Sequence, residues 1–204
     1  FYLEAGIRTD RDVTEMHLGW ESPTCQLRGH FLGHWLSAAS MLVAQNNDRE
    51  LKAKLDIIID ELERCQKLNG GRWIGSIPEK YFEKLEKNEY IWSPQYTLHK
   101  TLLGLYHSAM YAKNEKALAI LDSAADWYID WTEKMEKVNP HAVYSGEEGG
   151  MLEVWAGLYQ LTDAEKYLTL AEKYSHPSIF GKLDNNGDPL SNCHANASIP
   201  WAHG

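Results

Sequence analysis

Val43-Ala44-Gln45-Asn46-Asn47-Asp48-Arg49-Glu50-Leu51, Met110-Tyr111-Ala112-Lys113-Asn114-Glu115-Lys116-Ala117-Leu118 and Leu158-Tyr159-Gln160-Leu161-Thr162-Asp163-Ala164-Glu165-Lys166 decide the fold. Each reads as an apolar helix end, a very short polar turn and a new helix start. Asn47 with Glu50, and Thr162 with Glu165, have the spacing of a capping box. Three such stretches in one chain form a weak internal repeat of helical hairpins.

Working outward, apolar residues recur at helical spacing and strand-like alternation is nearly absent. The pattern predicts helices over about Gly29 to Ala44, Asp48 to Leu68, Thr97 to Tyr111, Glu115 to Met135, Met151 to Leu161 and Asp163 to Tyr174. A seventh start near Ala195 is disturbed by Pro200. Gly70-Gly71 ends the second helix. Gly29 and Gly33 are expected to permit close helix packing. The segments between pairs, Asn69 to Gln95, Lys137 to Gly150 and Ser175 to His194, are read as long loops, with Thr9 to Leu27 leading into the first pair. Loops of that length in a compact domain are usually functional or disordered. Those after the first two pairs contain Trp73, Tyr81, Tyr90, Trp92 and Tyr144, and the leading segment has Trp20, so disorder does not fit their composition.

If successive hairpins pack side by side, every first helix points the same way. All long loops and first-helix N-termini then share one end. That layout suits an open solenoid of three pairs or part of an α/α toroid, whose full ring needs twelve helices.

Composition narrows the function. The 204 residues carry 20 Lys plus Arg against 29 Asp plus Glu, a net charge of −9. Nucleic acid is a poor partner for that balance. No apolar run is long enough to span a membrane, and none is expected to bind one. The chain begins at Phe1 with no visible leader, which leaves cytoplasmic and exported locations equally open. Eight Trp and 11 Tyr against 4 Phe give most aromatics a polar handle. Sugar clefts and protein interfaces both favour such side chains. Cys25, Cys65 and Cys193 form no metal-ligand spacing and no complete disulfide set, and are expected to be reduced thiols.

Four segments fall at first-helix N-termini. They carry His30 and His34, then Tyr96 and His99, then Glu147, Glu148 and Glu153, then His194. His30 and His34 share a helix face, but no third ligand is evident, so no metal site is assigned. One of the two is expected to face the cleft and the other to pack. The carboxylates are candidates because glycoside hydrolysis generally needs paired acids, with Glu21 a weaker one. Against that, Glu147 and Glu148 also suit a helix N-terminus electrostatically. Trp20, Trp73 and Trp92 are candidates for sugar stacking. Asp184 to Asp188 reads as a turn, since no Glu closes a calcium loop. The charges of Asp48 to Lys67 and Glu79 to Glu89 read as solvated faces.

Gly19 to Ala38, with Trp20-Glu21-Ser22-Pro23-Thr24-Cys25-Gln26-Leu27-Arg28-Gly29-His30-Phe31-Leu32-Gly33-His34-Trp35, resembles the N-terminal signature of glycoside hydrolase families 127 and 146. Gln95 to Lys100, Glu148 to Glu153 and Cys193 to Asn196 follow in that group's order and rough spacing. The resemblance implies an all-α (α/α)6 catalytic barrel, of which residues 1–204 supply about the N-terminal half, followed by β-sandwich domains. It implies retaining hydrolysis of terminal L-arabinofuranosides or related glycosides, with a cysteine nucleophile in a zinc site and a separate acid/base glutamate. Those groups are expected beyond the matched motifs, so zinc belongs to the complete enzyme and no catalytic residue or metal ligand is assigned here. The 204-residue chain by itself is expected to be inactive, and its partners are a glycoside substrate and the remainder of its own polypeptide. By position the resemblance gives His99, His194 and His30 as sugar contacts. Tyr96, Glu148, Glu153, Trp20 and Trp92 complete the substrate-binding candidates. Other readings are a polysaccharide lyase or unsaturated glycuronyl hydrolase using Tyr96, His99 and Glu153, and a non-enzymatic helical-repeat binding module.

Overall fold

The computed structural model describes residues 1–10 and 17–204; part of the segment leading into the first pair, residues 11–16, lies outside them. Among the described residues there are nine α-helices and no strand. They are α1 (His30–Asn46), α2 (Arg49–Leu68), α3 (Lys80–Glu86), α4 (Pro94–Met110), α5 (Glu115–Val138), α6 (Met151–Thr162), α7 (Glu165–Tyr174), α8 (Pro177–Asp184) and α9 (Ala195–Ser198). No helix among these residues is long and apolar enough to cross a membrane.

The expected pairs are present as α1–α2, α4–α5 and α6–α7. Each hairpin turn contains one left-handed residue, Asn47 (φ 52°), Lys113 (φ 53°) or Asp163 (φ 56°). Asn and Asp tolerate that region better than most side chains. The capping boxes read from sequence are displaced. Asn47 ends α1, and Asp48 is the N-cap of α2, accepting from Leu51 N at 2.9 Å. Thr162 is the last residue of α6, and its hydroxyl donates back to Leu158 O. Ala164 starts α7 with no side-chain cap. The α4–α5 turn has the best cap: Asn114 accepts from Ala117 N and donates to Asp56 of α2, both within 2.8 Å.

Cross-helix contacts fix the directions. Ser40 of α1 meets Ser108 of α4 at 3.0 Å, and Gly33 lies against Lys100 and Thr101. Gly150 covers His99, and Gly157 lies against Tyr106. The order of these contacts makes α1, α4 and α6 parallel. The outer helices α2, α5 and α7 run parallel to one another through Asp60–Lys116, Gln66–Ile120 and Asp122–Lys166. The result is an inner layer and an outer layer with a continuous apolar core between them, including Leu36, Leu55, Leu102, Ile120, Tyr128 and Trp155.

Two long loops hold helices that periodicity did not show. α3 lies between the first two pairs, and its Phe82 packs among Trp73, Trp127 and Trp131. α8 lies in the stretch after α7. Seven or eight residues span barely two turns, too few for a 3.6-residue period to register. The fully buried face of α1 also differs from the apolar stripe: it runs through His30, Gly33, Leu36, Ala39 and Ser40, while Leu42 is exposed. Glycine and serine serve there because backbones, not large side chains, meet at the α1–α4 contact.

Candidate functional site

The parallel inner layer brings the starts of α1, α4 and α6 to one end. Each is entered through a left-handed residue: Gly29 (φ 89°) before α1, Ser93 (φ 44°) before α4, and Glu147 (φ 60°) before the 3-10 turn Glu148–Gly150 that runs into α6. Only one of the three is glycine, so Ser93 and Glu147 hold strained backbone at this end.

Glu21 organises the entry to α1. Its carboxylate accepts from Gly29 N at 2.5 Å and Phe31 N at 2.9 Å, and one oxygen lies 2.6 Å from His30 Nδ1. Gly29 has no side chain to cap the helix, so a carboxylate eight residues upstream does so. The Leu27 carbonyl is also 2.9 Å from His30 Nδ1. Both neighbours of Nδ1 are acceptors, which places a proton there. Glu21 is thereby a structural anchor. Glu21→Ala is expected to lower stability by about 1–2 kcal/mol, with faster amide exchange at Gly29 and Phe31; unchanged exchange there contradicts the capping role.

His30 is the hub of an aromatic group. Its ring lies 6.2 Å from Trp20, 6.2 Å from Tyr96 and 6.0 Å from His34, and Trp20 meets Trp92 edge-on at 6.4 Å. His30 is buried and His34 exposed, and His30 packs on Trp20 and Tyr96, not on Trp35. Burial, with Lys100 and His30 nearby, pushes the His34 pKa down. Trp20 is 62% exposed and Trp92 38%, so both offer ring surface to a ligand. Trp73 does not belong to this group; it is buried in the core with Phe82 and Trp127.

A groove of about 650 Å³ runs beside Trp92, between Tyr90 and Ser93 on one wall and Ser145 to Glu147 on the other. Glu147 lies 3.5 Å from His194 Nδ1, and His194 is exposed at the N-cap of α9. Trp20, Trp92, His30, Tyr96 and His194 therefore gather at the loop-rich end.

The remaining candidates sit differently. His99 is only 2% exposed, and a Cβ on Gly150 would stand 2.2 Å from its ring, so glycine is what lets α6 pass over it. Burial first, then the Lys100 charge, hold it well below the usual histidine pKa, and its Nε2 has no hydrogen-bond partner among the described residues. Glu148 is 4% exposed, also with an unpartnered oxygen, and burial pushes its pKa up to about 7. The Trp201 indole and the Ala197 carbonyl cover this turn. Glu153 lies apart, 3.8 Å from His203 in a groove shared with Tyr106, His107 and Tyr111.

Sequence reasoning missed Gln95, which is fully buried. Its amide donates to the carbonyls of Val143 and Ser145 and accepts from Tyr174 OH at 2.7 Å, clamping the loop before α6 onto the start of α4. A glutamine directly after a helix-starting Pro, opposite a turn rich in glycine, was the available signal.

Among the described residues no group of three or more His, Cys, Asp or Glu is placed to hold a metal ion. Cys25, Cys65 and Cys193 are free and scattered: half-buried, buried in α2, and exposed. The sequence pattern of the β-L-arabinofuranosidase GH127 catalytic domain matches residues 1–204. No curated protein matches the chain.

Proposed function

Because the chain belongs to the GH127 β-L-arabinofuranosidase catalytic-domain family, we propose that it forms about half of an (α/α)6 barrel in a retaining glycosidase for terminal L-arabinofuranosides. The observation that carries this reading is the exposed Trp20–Trp92 pair beside His30 and Tyr96, at the end where three parallel inner helices begin. Trp ring faces bind the C–H surface of a sugar, while His30, His194 and Glu147 supply hydrogen-bonding groups for its hydroxyls. The remainder of the polypeptide closes the ring.

In this reading the chain binds and orients, and bond cleavage is carried out by groups from outside it. The family's zinc, when bound, holds and activates a cysteine nucleophile. The scattered thiols here do not fit such a site, so no step is drawn through them. Tyr96 and Trp20 hold the furanose ring against the mouth, and His30, held at Nδ1 by Glu21, meets one hydroxyl through Nε2. His99 and Glu148 are buried and are given no contact with the sugar in this reading.

The test is hydrolysis by the intact protein of an aryl β-L-arabinofuranoside, compared with the α-anomer and with an unsaturated glucuronide. Selective cleavage of the β-L-arabinofuranoside supports the reading, and selective cleavage of the uronide overturns it. Trp20→Ala and Trp92→Ala are expected to raise KM by roughly five- to tenfold with little change in kcat, as loss of uniform binding does; a fall in kcat alone would contradict a stacking role.

A further inference from the structure

We infer that Lys100 is a specificity-determining hydroxyl donor for a neutral sugar at the loop-rich end. The inference rests on the glycosidase reading and adds a residue that reading does not use. Lys100 follows Tyr96 by one turn of α4, and its ammonium lies 4.5 Å from the centre of the Tyr96 ring. Among the described residues it has no carboxylate within 4.0 Å and no hydrogen-bond acceptor. The half-buried lysines of the outer layer behave differently: Lys166 is bound by Asp122 and Asp126, and Lys173 by Glu136.

Leaving a half-buried ammonium without an acceptor is costly. Here the Tyr96 face is its one close attractive neighbour. Burial pulls the Lys100 pKa down, and Glu153 and Glu147 oppose that from a distance. Its charge also reaches His34 of α1, whose pKa it helps to lower. Three ammonium N–H donors therefore adjoin the Tyr96 ring with no acceptor of their own among the described residues. A free ammonium beside an aromatic face suits a sugar hydroxyl, which can accept from it while the ring packs on Tyr96. Glu153 and Glu147 act on Lys100 from beyond contact distance, and their negative charge favours a neutral sugar over a uronate beside it.

The test uses the intact protein and its Lys100→Met variant, which keeps the aliphatic stem. Calorimetry would give affinities for methyl β-L-arabinofuranoside, its 2-, 3- and 5-deoxy analogues, methyl β-L-arabinopyranoside and glucuronate. The expected result is a loss of roughly tenfold or more for the arabinofuranoside, the scale of one charge-assisted hydrogen bond. One deoxy analogue should bind wild type and variant equally, because the hydroxyl that Lys100 meets is gone, and Lys100→Arg should recover part of the loss. Unchanged affinity in Lys100→Met, or an equal loss for every analogue alongside a lower melting temperature, overturns the inference. If wild type prefers the pyranoside in a Lys100-dependent way, the arabinofuranosidase reading fails and Lys100 keeps its role. Lys100-dependent binding of glucuronate overturns the neutral-sugar assignment, and no binding of any probe overturns both.

Discussion

Gly33→Val is expected to destabilise the fold by about 3 kcal/mol or more, at or beyond the upper end of overpacking costs. A Cβ at residue 33 would stand 1.9 Å from the Lys100 carbonyl oxygen and 2.8 Å from Thr101 N. Those atoms are helix backbone and cannot rotate away, so α1 and α4 must separate. Gly104 closes the same contact from the other side, its own Cβ position lying 2.6 Å from Gly33 O. For a domain of this size that cost corresponds to a melting temperature lower by roughly 10 °C. Gly70→Ala is the control: φ there is +85° but nothing lies within 4 Å of a new Cβ. Its cost is backbone strain alone, about 1–2 kcal/mol. Urea midpoints measure both, and a Gly33→Val midpoint equal to that of Gly70→Ala refutes the close-approach argument.

The second large effect belongs to Glu148. Its folded pKa of about 7 lies above the ordinary 4.5 because burial disfavours the charged form. Between those values the unfolded chain has released the proton and the folded chain has kept it. Stability therefore falls as pH rises from about 4.5 to 7, then levels off once both states are ionised. The size of the fall is on the order of 3 kcal/mol. Glu148→Gln removes this dependence. It should be close to wild type at pH 5 and more stable at pH 8 by a similar amount, read as a difference in urea midpoints at the two pH values. A variant less stable than wild type at pH 8 shows that the ionised carboxylate has a partner and sinks the prediction.

Helix pairs were legible because Leu55, Ile59, Leu62 and their like recur on one face over four or more turns. The two-layer arrangement followed from short turns inside pairs and long segments between them. What stayed hidden is non-local. Glu21 caps α1 from a loop, and no spacing rule links residue 21 to residue 29. The caps at Asn47 and Thr162 were misplaced because one left-handed residue moves a boundary by one or two positions, and tertiary packing selects it. The burial of His99 becomes visible only once α6 is known to pass over it with Gly150. Glu147 and Glu148 read alike as carboxylates at a helix N-terminus, yet Glu147 turns out towards His194 and Glu148 turns in beneath Trp201. Lys100 sits in a motif whose histidine draws the eye, and only the lack of an acceptor near its ammonium among the described residues sets it apart.

The order of the pairs has a consequence for how cooperatively the molecule holds together. α4 contacts α1 and α6, and α5 contacts α2 and α7, whereas the first and third pairs have no comparable contact with each other. In arrays coupled only to nearest neighbours, stability is a sum over adjoining interfaces. Opening the α1–α2 pair or the α6–α7 pair severs one interface, while opening α4–α5 severs two. The middle pair is thus the unit on which the mouth depends: the residues contributed from either flank keep their relative positions only while it stays closed.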